Sequence, residues 1–171
     1  MTFETENLIL RRYERREKEH LSRLLKDESV MRFVGEGEPL TDSEIDYLWH
    51  RIHEINYVED EVGVWAVFNR KESKYVGHAA LKPRPENNSE WEIVYYLIKE
   101  EWGKGYGTEL ARKLVEISFD AFNLKTVYAT VDEKNNPSIK ILEKIGMRFL
   151  RHEFDGQGRF LVYAISAQNY L

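Results

Sequence analysis

The sequence predicts an α+β fold: one mixed, mostly antiparallel sheet of about seven strands with helices on both faces, in a single domain over residues 1–171. Three observations carry this prediction. Hydrophobic residues switch between helical spacing and strict alternation along the chain. Three strands in the middle are joined by short loops, which makes an antiparallel meander. The C-terminal half then reads strand, helix, strand, helix, strand, strand. A chain of 171 residues is long enough to bury a sizeable core.

The elements follow in order. Leu8, Ile9 and Leu10 begin a strand ending near Tyr13. From Glu14 to Lys26, Leu21, Leu24 and Leu25 recur at helical spacing, and the charges between them read as a solvated face. Val30 to Val34 suggests a short second helix closed by Gly35 and Gly37. Thr41-Asp42-Ser43-Glu44 is a capping box, and Ile45, Leu48, Trp49, Ile52 and Ile55 mark one face of the helix it opens, to about Tyr57. The meander is Val64–Phe68, Tyr75–Lys82 and Trp91–Ile98, with a turn expected at Asn87-Asn88 after Pro83 and Pro85. A long helix opens between Gly103 and Gly107, its buried face formed by Leu110, Ala111, Leu114, Val115, Ser118, Ala121 and Phe122. Thr126–Val131 is a strand. Pro137 begins a helix that Gly146 ends. Met147–Phe154 and Phe160–Ile165, around Asp155-Gly156-Gln157-Gly158, form a closing hairpin. Phe160, Val162 and Tyr163 either pair with a second subunit as a homodimer or belong to the core.

Composition narrows the function classes. Lys and Arg number 25 against 30 Asp and Glu, a net charge of −5, which argues against nucleic-acid binding by bulk charge. With no cysteine, disulfides, thiolate zinc sites and a cysteine nucleophile are excluded. No segment approaches a membrane span, and Met1–Arg12 lacks a signal peptide's apolar stretch, so no membrane partner and a cytoplasmic location are expected. His50 and His53 stand three apart on one helix, but no third metal ligand is evident, and no metal is expected.

The most informative segment is Glu101-Trp102-Gly103-Lys104-Gly105-Tyr106-Gly107-Thr108, where a strand ends and a long helix begins. Glycine permits positive φ and close approach of the backbone to a ligand. The first amides of a helix are unpaired donors at the positive end of its dipole. Together these make a cradle for phosphate oxygens, to which Lys104 adds a charge; a ligand-free turn would need only one glycine. A dinucleotide fingerprint starting at Gly103 would need glycine where Thr108 stands, and a Walker loop would need Ser or Thr where Gly105 stands. Both are excluded.

This segment, with Glu92-Ile93-Val94-Tyr95-Tyr96-Leu97 before it, resembles the acetyl-CoA motif of the GNAT superfamily of acyl-CoA-dependent N-acyltransferases. Asn135-Asn136-Pro137-Ser138-Ile139-Lys140-Ile141-Leu142-Glu143-Lys144-Ile145-Gly146-Met147 resembles the family's second motif, and Thr5-Glu6-Asn7-Leu8-Ile9-Leu10-Arg11 adds a third match. The Trp-Gly-Lys-Gly form resembles the branch containing the ribosomal-protein-alanine N-acetyltransferases, which also holds enzymes with other acceptors. The resemblance implies a GNAT fold, acetyl-CoA as cosubstrate, and direct transfer of an acetyl group in a ternary complex to a primary amine. That amine is a protein or peptide N-terminal α-amino group or a small molecule.

The resemblance also implies residue roles. Free backbone groups of Leu97, Ile98 and Lys99 would pair with pantetheine. The amides from Gly103 through Lys104, Gly105, Tyr106 and Gly107 to Thr108 would meet the pyrophosphate. Asn135 would hold the pantetheine arm, and Lys144 either touches the nucleotide end or is a solvated helix residue. The backbone N–H of Leu97 would serve the developing oxyanion. Glu92 is the candidate base that takes the acceptor's proton; its other reading is an exposed strand residue beside Glu90. Many relatives carry a Tyr acid where this chain has Leu142, which leaves Ser138 as the matched hydroxyl for the leaving thiolate, or simply as a helix N-terminal residue. The acceptor would meet the helix around Trp49, the segment near Phe33 and Val34, and the strand of Glu92, although Trp49 also suits core packing. A non-catalytic acyl-CoA sensor on the same fold is the alternative, favoured by Leu142 and opposed by Glu92 and Ser138.

Overall fold

Leu8 and Leu10 alternate with Ile9 and Arg11, and that alternation sets the first full strand. In the computed structural model, which describes residues 1–59, 62–156 and 158–170, β1 (Phe3–Glu4) lies antiparallel to β2 (Leu8–Arg11), with Phe3 opposite Leu10. Leu8 and Leu10 are fully buried. Two residues carry no periodicity, so β1 is invisible to pattern reading.

After β2 comes α1 (Lys18–Leu25), which buries Leu21, Leu24 and Leu25 as their spacing requires. One charge of this stretch is not solvated. Glu17 is buried and takes two hydrogen bonds from Arg11, at 2.6 and 2.9 Å. Burial alone would raise its pKa, but the Arg11 bonds outweigh it and hold the carboxyl below its usual range. The short helix α2 (Glu28–Met31) begins earlier than expected because Asp27 caps it, accepting from the Ser29 N–H at 2.8 Å, and it ends at Met31. α3 (Asp42–Arg51) starts at the expected capping box, with Thr41 N–H donating to Glu44 at 2.7 Å. It runs on through a wider π-helical turn, Ile52–Asn56, into α4 (Tyr57–Glu59). The wider turn re-aims side chains: Ile52 and His53 are buried in succession, while Leu48, Trp49 and Ile55 are only half-buried.

The meander is β3 (Gly63–Asn69), β4 (Tyr75–Arg84) and β5 (Asn87–Leu97). Pro83 does not end β4, and the turn falls at Pro85 and Glu86, since proline presets φ for a turn's first central position. Asn87 contributes through its side chain, accepting from Ser89 N–H at 3.1 Å, and not through positive φ. At the far end of the hairpin Gly77 is required: a Cβ there would stand 2.2 Å from the Tyr96 carbonyl oxygen.

α5 (Tyr106–Asp120) buries Leu110, Ala111, Leu114, Val115 and Ser118 as expected and Ile117 in addition. Ala121 and Phe122 lie past its end, half-buried. β6 (Thr126–Asp132) runs parallel to β5, with Tyr128 beside Glu92. α6 (Asn136–Lys144) follows, then the hairpin β7 (Arg148–Phe154) and β8 (Arg159–Ser166), and a last short turn, α7 (Ala167–Tyr170). Gln157, in the expected hairpin turn, lies outside the described residues. Val162 and Tyr163 are buried, so they belong to the core; the exposed apolar residues of the hairpin are Phe149, Leu150 and Phe154.

Among the described residues, eight strands lie in one mostly antiparallel sheet in the order β1-β2-β3-β4-β5-β6-β8-β7. The chain packs as two compact units. The first comprises Met1–Ala80 and Tyr95–Tyr106, the second Leu81–Val94 and Gly107–Leu171, so β4 and β5 each run from one unit into the other.

Candidate active site

The glycine loop is braced from one side. Its entry, Lys99–Glu101, is a single 3₁₀ turn that buries Glu101. The Glu101 carboxylate takes Lys104 at 2.8 Å and Lys74, at the end of the β3–β4 loop, at 3.1 Å. Burial would raise its pKa; the Lys104 and Lys74 bonds outweigh it and lower it, while the same bond raises that of Lys104. Asn69 ties down the other end, donating from Nδ2 to the Tyr106 hydroxyl at 2.7 Å. Lys104, expected as a charge for phosphate, is therefore first a partner of Glu101, yet its side chain is 50% exposed.

Gly103 and Gly105 have φ of +76° and +86°, and no described atom lies within 4 Å of where their Cβ atoms would stand. Glycine is needed there for the backbone path, and open space faces the loop at both positions. Gly107 and Thr108 are already helical, in the first turn of α5, whose amides lack intrahelical partners. Bare backbone, unpaired amides and half-exposed Lys104 fit a phosphate.

The strand end before the loop is more committed than expected. The Ile98 N–H donates to Val76 at 3.0 Å, and its carbonyl accepts from Glu101 N–H at 3.0 Å. The Ile98 N–H is thus taken within the chain, while its carbonyl oxygen keeps a second lone pair. The carbonyl of Leu97 accepts from the Trp102 indole at 2.9 Å, and that of Lys99 from Trp102 N–H at 3.1 Å. Trp102 itself is 47% exposed.

Glu92 is not an exposed strand residue. It is buried, with Lys82 Nζ on Oε1 at 2.9 Å and Thr130 Oγ1 donating to Oε2 at 3.1 Å. Beside it lies a closed ring of ion pairs. Arg84, 1% exposed, donates to Glu90 at 2.5 Å and to Glu153; Arg151 donates to Glu90 at 2.7 Å and to Glu153 at 3.1 Å. Arg84 hydrogen-bonds hold Glu153 below the usual carboxylate range. In Glu90 burial opposes the shift, and Arg151 and Arg84 outweigh it. Sequence reasoning missed Lys82, Arg84, Thr130, Arg151 and Glu153. A signal existed for part of this: Lys82 and Arg84 on one strand of a hairpin, Glu90 and Glu92 on the next, with the same two-residue spacing.

The second motif forms the start of α6. Asn135 caps it, accepting from Ser138 N–H at 3.3 Å. Ser138 is half-buried in the first turn, Lys144 is exposed in the last, and Leu142 is buried. Trp49 packs edge-on against Tyr13 and His53, with ring centroids 5.5 and 4.5 Å apart. The Tyr13 hydroxyl lies 2.9 Å from that of Tyr75 and 3.0 Å from His78 Nδ1. Burial pushes the His78 imidazole down to about 4, so it is neutral near pH 7. Phe33 and Val34 are half-buried. No group of three metal-ligating side chains occurs among the described residues, and no helix among them is long and apolar enough to cross a membrane.

Residues 7–148 match the family described as Acetyltransferase (GNAT) domain. The chain belongs to the GNAT acetyltransferase family. Among its relatives is a Bacillus licheniformis protein described as an uncharacterized N-acetyltransferase, 28% identical over 96% of this chain and 94% of that one. Two solved structures share the fold. A GNAT-family acetyltransferase from Bacillus anthracis superposes with a TM-score of 0.82 at 23% identity, covering 98% of this chain and 99% of that one. A spermidine N-acetyltransferase from Vibrio cholerae, in complex with CoA and spermine, superposes at 0.81 with 20% identity, covering 97% and 99%.

Proposed function

We propose that this single-domain chain is an acetyl-CoA-dependent N-acetyltransferase that acts in the cytoplasm on a primary amine, by direct transfer within a ternary complex. The carrying observation is the braced glycine loop, open at Gly103 and Gly105 and leading into the first turn of α5. Acetyl-CoA, when bound, supplies an acetyl group activated as a thioester.

The chain's own residues would do the rest. The amides from Gly103 to Thr108 hold the pyrophosphate, with the Lys104 ammonium at hand. Leu97 and Lys99 offer backbone groups to pantetheine, Asn135 steadies its arm, and Lys144 serves the nucleotide end. The Leu97 N–H donates to the oxygen on which negative charge develops. An ammonium has no lone pair, so Glu92 takes the acceptor's proton, directly or through water. The Ser138 hydroxyl serves the departing thiolate. The acceptor is an N-terminal α-amino group or a small aliphatic amine; the acceptor named for the Vibrio cholerae structure is of the second kind.

The test is thiol release from acetyl-CoA with a panel of aliphatic amines and N-terminal peptides, repeated with Glu92→Gln. The expected outcome is acceptor-dependent release that the variant reduces by roughly 10²-fold or more. A variant at full rate across pH removes Glu92 as base. Stabilisation by acetyl-CoA with no release for any amine would mark a sensor instead, the reading that buried Leu142 favours.

A further inference from the structure

We propose that Lys82 is a place-holder for the acceptor: its ammonium occupies the Glu92 oxygen that the acceptor's own ammonium takes over, which makes Lys82 a specificity-determining residue favouring acceptors that arrive as cations. This rests on the reading of Glu92 as the acceptor's base.

Lys82 is a primary alkylammonium 2.9 Å from Glu92 Oε1, the same chemical group as a cationic aliphatic acceptor. The two partners are unequally exposed, 39% for the Lys82 side chain and 10% for that of Glu92. A solute reaching the carboxylate from solvent therefore meets the lysine first. The other oxygen, Oε2, is committed to Thr130, so Oε1 is the one an incoming ammonium can claim.

The neighbouring charges make the exchange an even one. Arg84, Arg151 and Lys82 face four carboxylates, those of Glu86, Glu90, Glu92 and Glu153. A cation replacing Lys82 on Glu92 keeps that balance, whereas a neutral acceptor displacing it leaves a buried carboxylate unpaired. Arg84 cannot make room in the same way: it is 1% exposed and locked in its ring. Its Nε–H has no hydrogen-bond partner among the described residues and lies 3.8 Å from Glu92 Oε2. A fixed positive neighbour thus remains when Lys82, on its flexible four-carbon stem, swings out.

The experiment titrates n-butylammonium chloride into the full chain carrying ¹³C-labelled glutamate carboxyls, following the Glu92 resonance, which is assigned with Glu92→Gln. The parent chain is compared with Lys82→Met and Lys82→Gln. Removing a competing, partly exposed ion pair should tighten butylammonium binding roughly two- to fivefold in both variants. Equal or weaker binding by both lysine variants overturns the proposal, as does a Glu92 resonance that never moves. Should Lys82→Met unfold at a lower temperature than the parent, Lys82→Gln decides. Thiol release separates the two readings. Loss of turnover in Glu92→Gln with unchanged butylammonium affinity in the lysine variants sinks only the place-holder. Full turnover in Glu92→Gln sinks the base and the place-holder's role in specificity together.

Discussion

The glycine loop and the Glu92 cluster neutralise buried charge in opposite senses. At the loop the buried centre is an anion, Glu101, and its partners Lys74 and Lys104 are half-exposed cations. At the cluster the buried centre is a cation, Arg84, and carboxylates surround it. At the loop Lys74 and Lys104 are the half-exposed groups; at the cluster Lys82, Arg151 and Glu86 are the exposed ones, while Glu90, Glu92 and Glu153 lie further in. The lesson is that a buried charge of either sign survives only when it is paired, and the two sites pair theirs differently: one with mobile side chains, the other within a ring.

Arg84→Met tests the cluster most severely. It removes the buried partner of Glu90 and Glu153 and leaves them to Arg151 alone, so urea denaturation should show a loss of about 3–5 kcal/mol. The acid limb should move as well. Glu90 and Glu153 have pKa values below the ordinary 4.5 in the folded chain. Their contribution is therefore complete above that value and is lost as pH falls through their lowered folded values. Without Arg84 those values rise, and acid unfolding should begin at higher pH than in the parent.

Glu101→Gln is the corresponding change at the loop, and its cost should be smaller. Lys74 and Lys104 can return to water, so about 1–2 kcal/mol is expected in the same assay. A loss as large as that of Arg84→Met would break the distinction between a centre with a mobile rim and one with a locked ring. Gly105→Ala should cost least, about 1 kcal/mol from the positive φ alone, since nothing described crowds a Cβ there. Its effect should instead appear as a reduced thermal shift on adding acetyl-CoA, which sharpens the view of the loop as a ligand cradle. An unchanged shift would count against it.

Much of this was legible beforehand. The capping box at Thr41, the buried stripe of α5 and the glycine loop are local patterns, and the structure carries each of them. Errors arose where a distant partner decided the outcome. Glu17 reads as a solvated helix charge until Arg11 reaches it from β2. Ile98 reads as a free strand end until Val76 accepts its N–H. Glu92 reads as base or surface residue with equal right, because its burial depends on Lys82 and Thr130, 10 and 38 positions away. The Asn87 turn failed for a local reason: Pro85 presets φ at no steric cost, and Asn87 can serve the turn through its side chain instead.

By itself, then, the sequence carried the family in the resemblance of its motifs, and the mixed sheet and the glycine loop in periodicity, capping and glycine spacing, which act within one turn or one strand. Only the tertiary structure decided which charges are buried and which partner holds each oxygen of Glu92. Those depend on side chains meeting across strands, and the energy of a buried charge belongs to its partners as much as to itself.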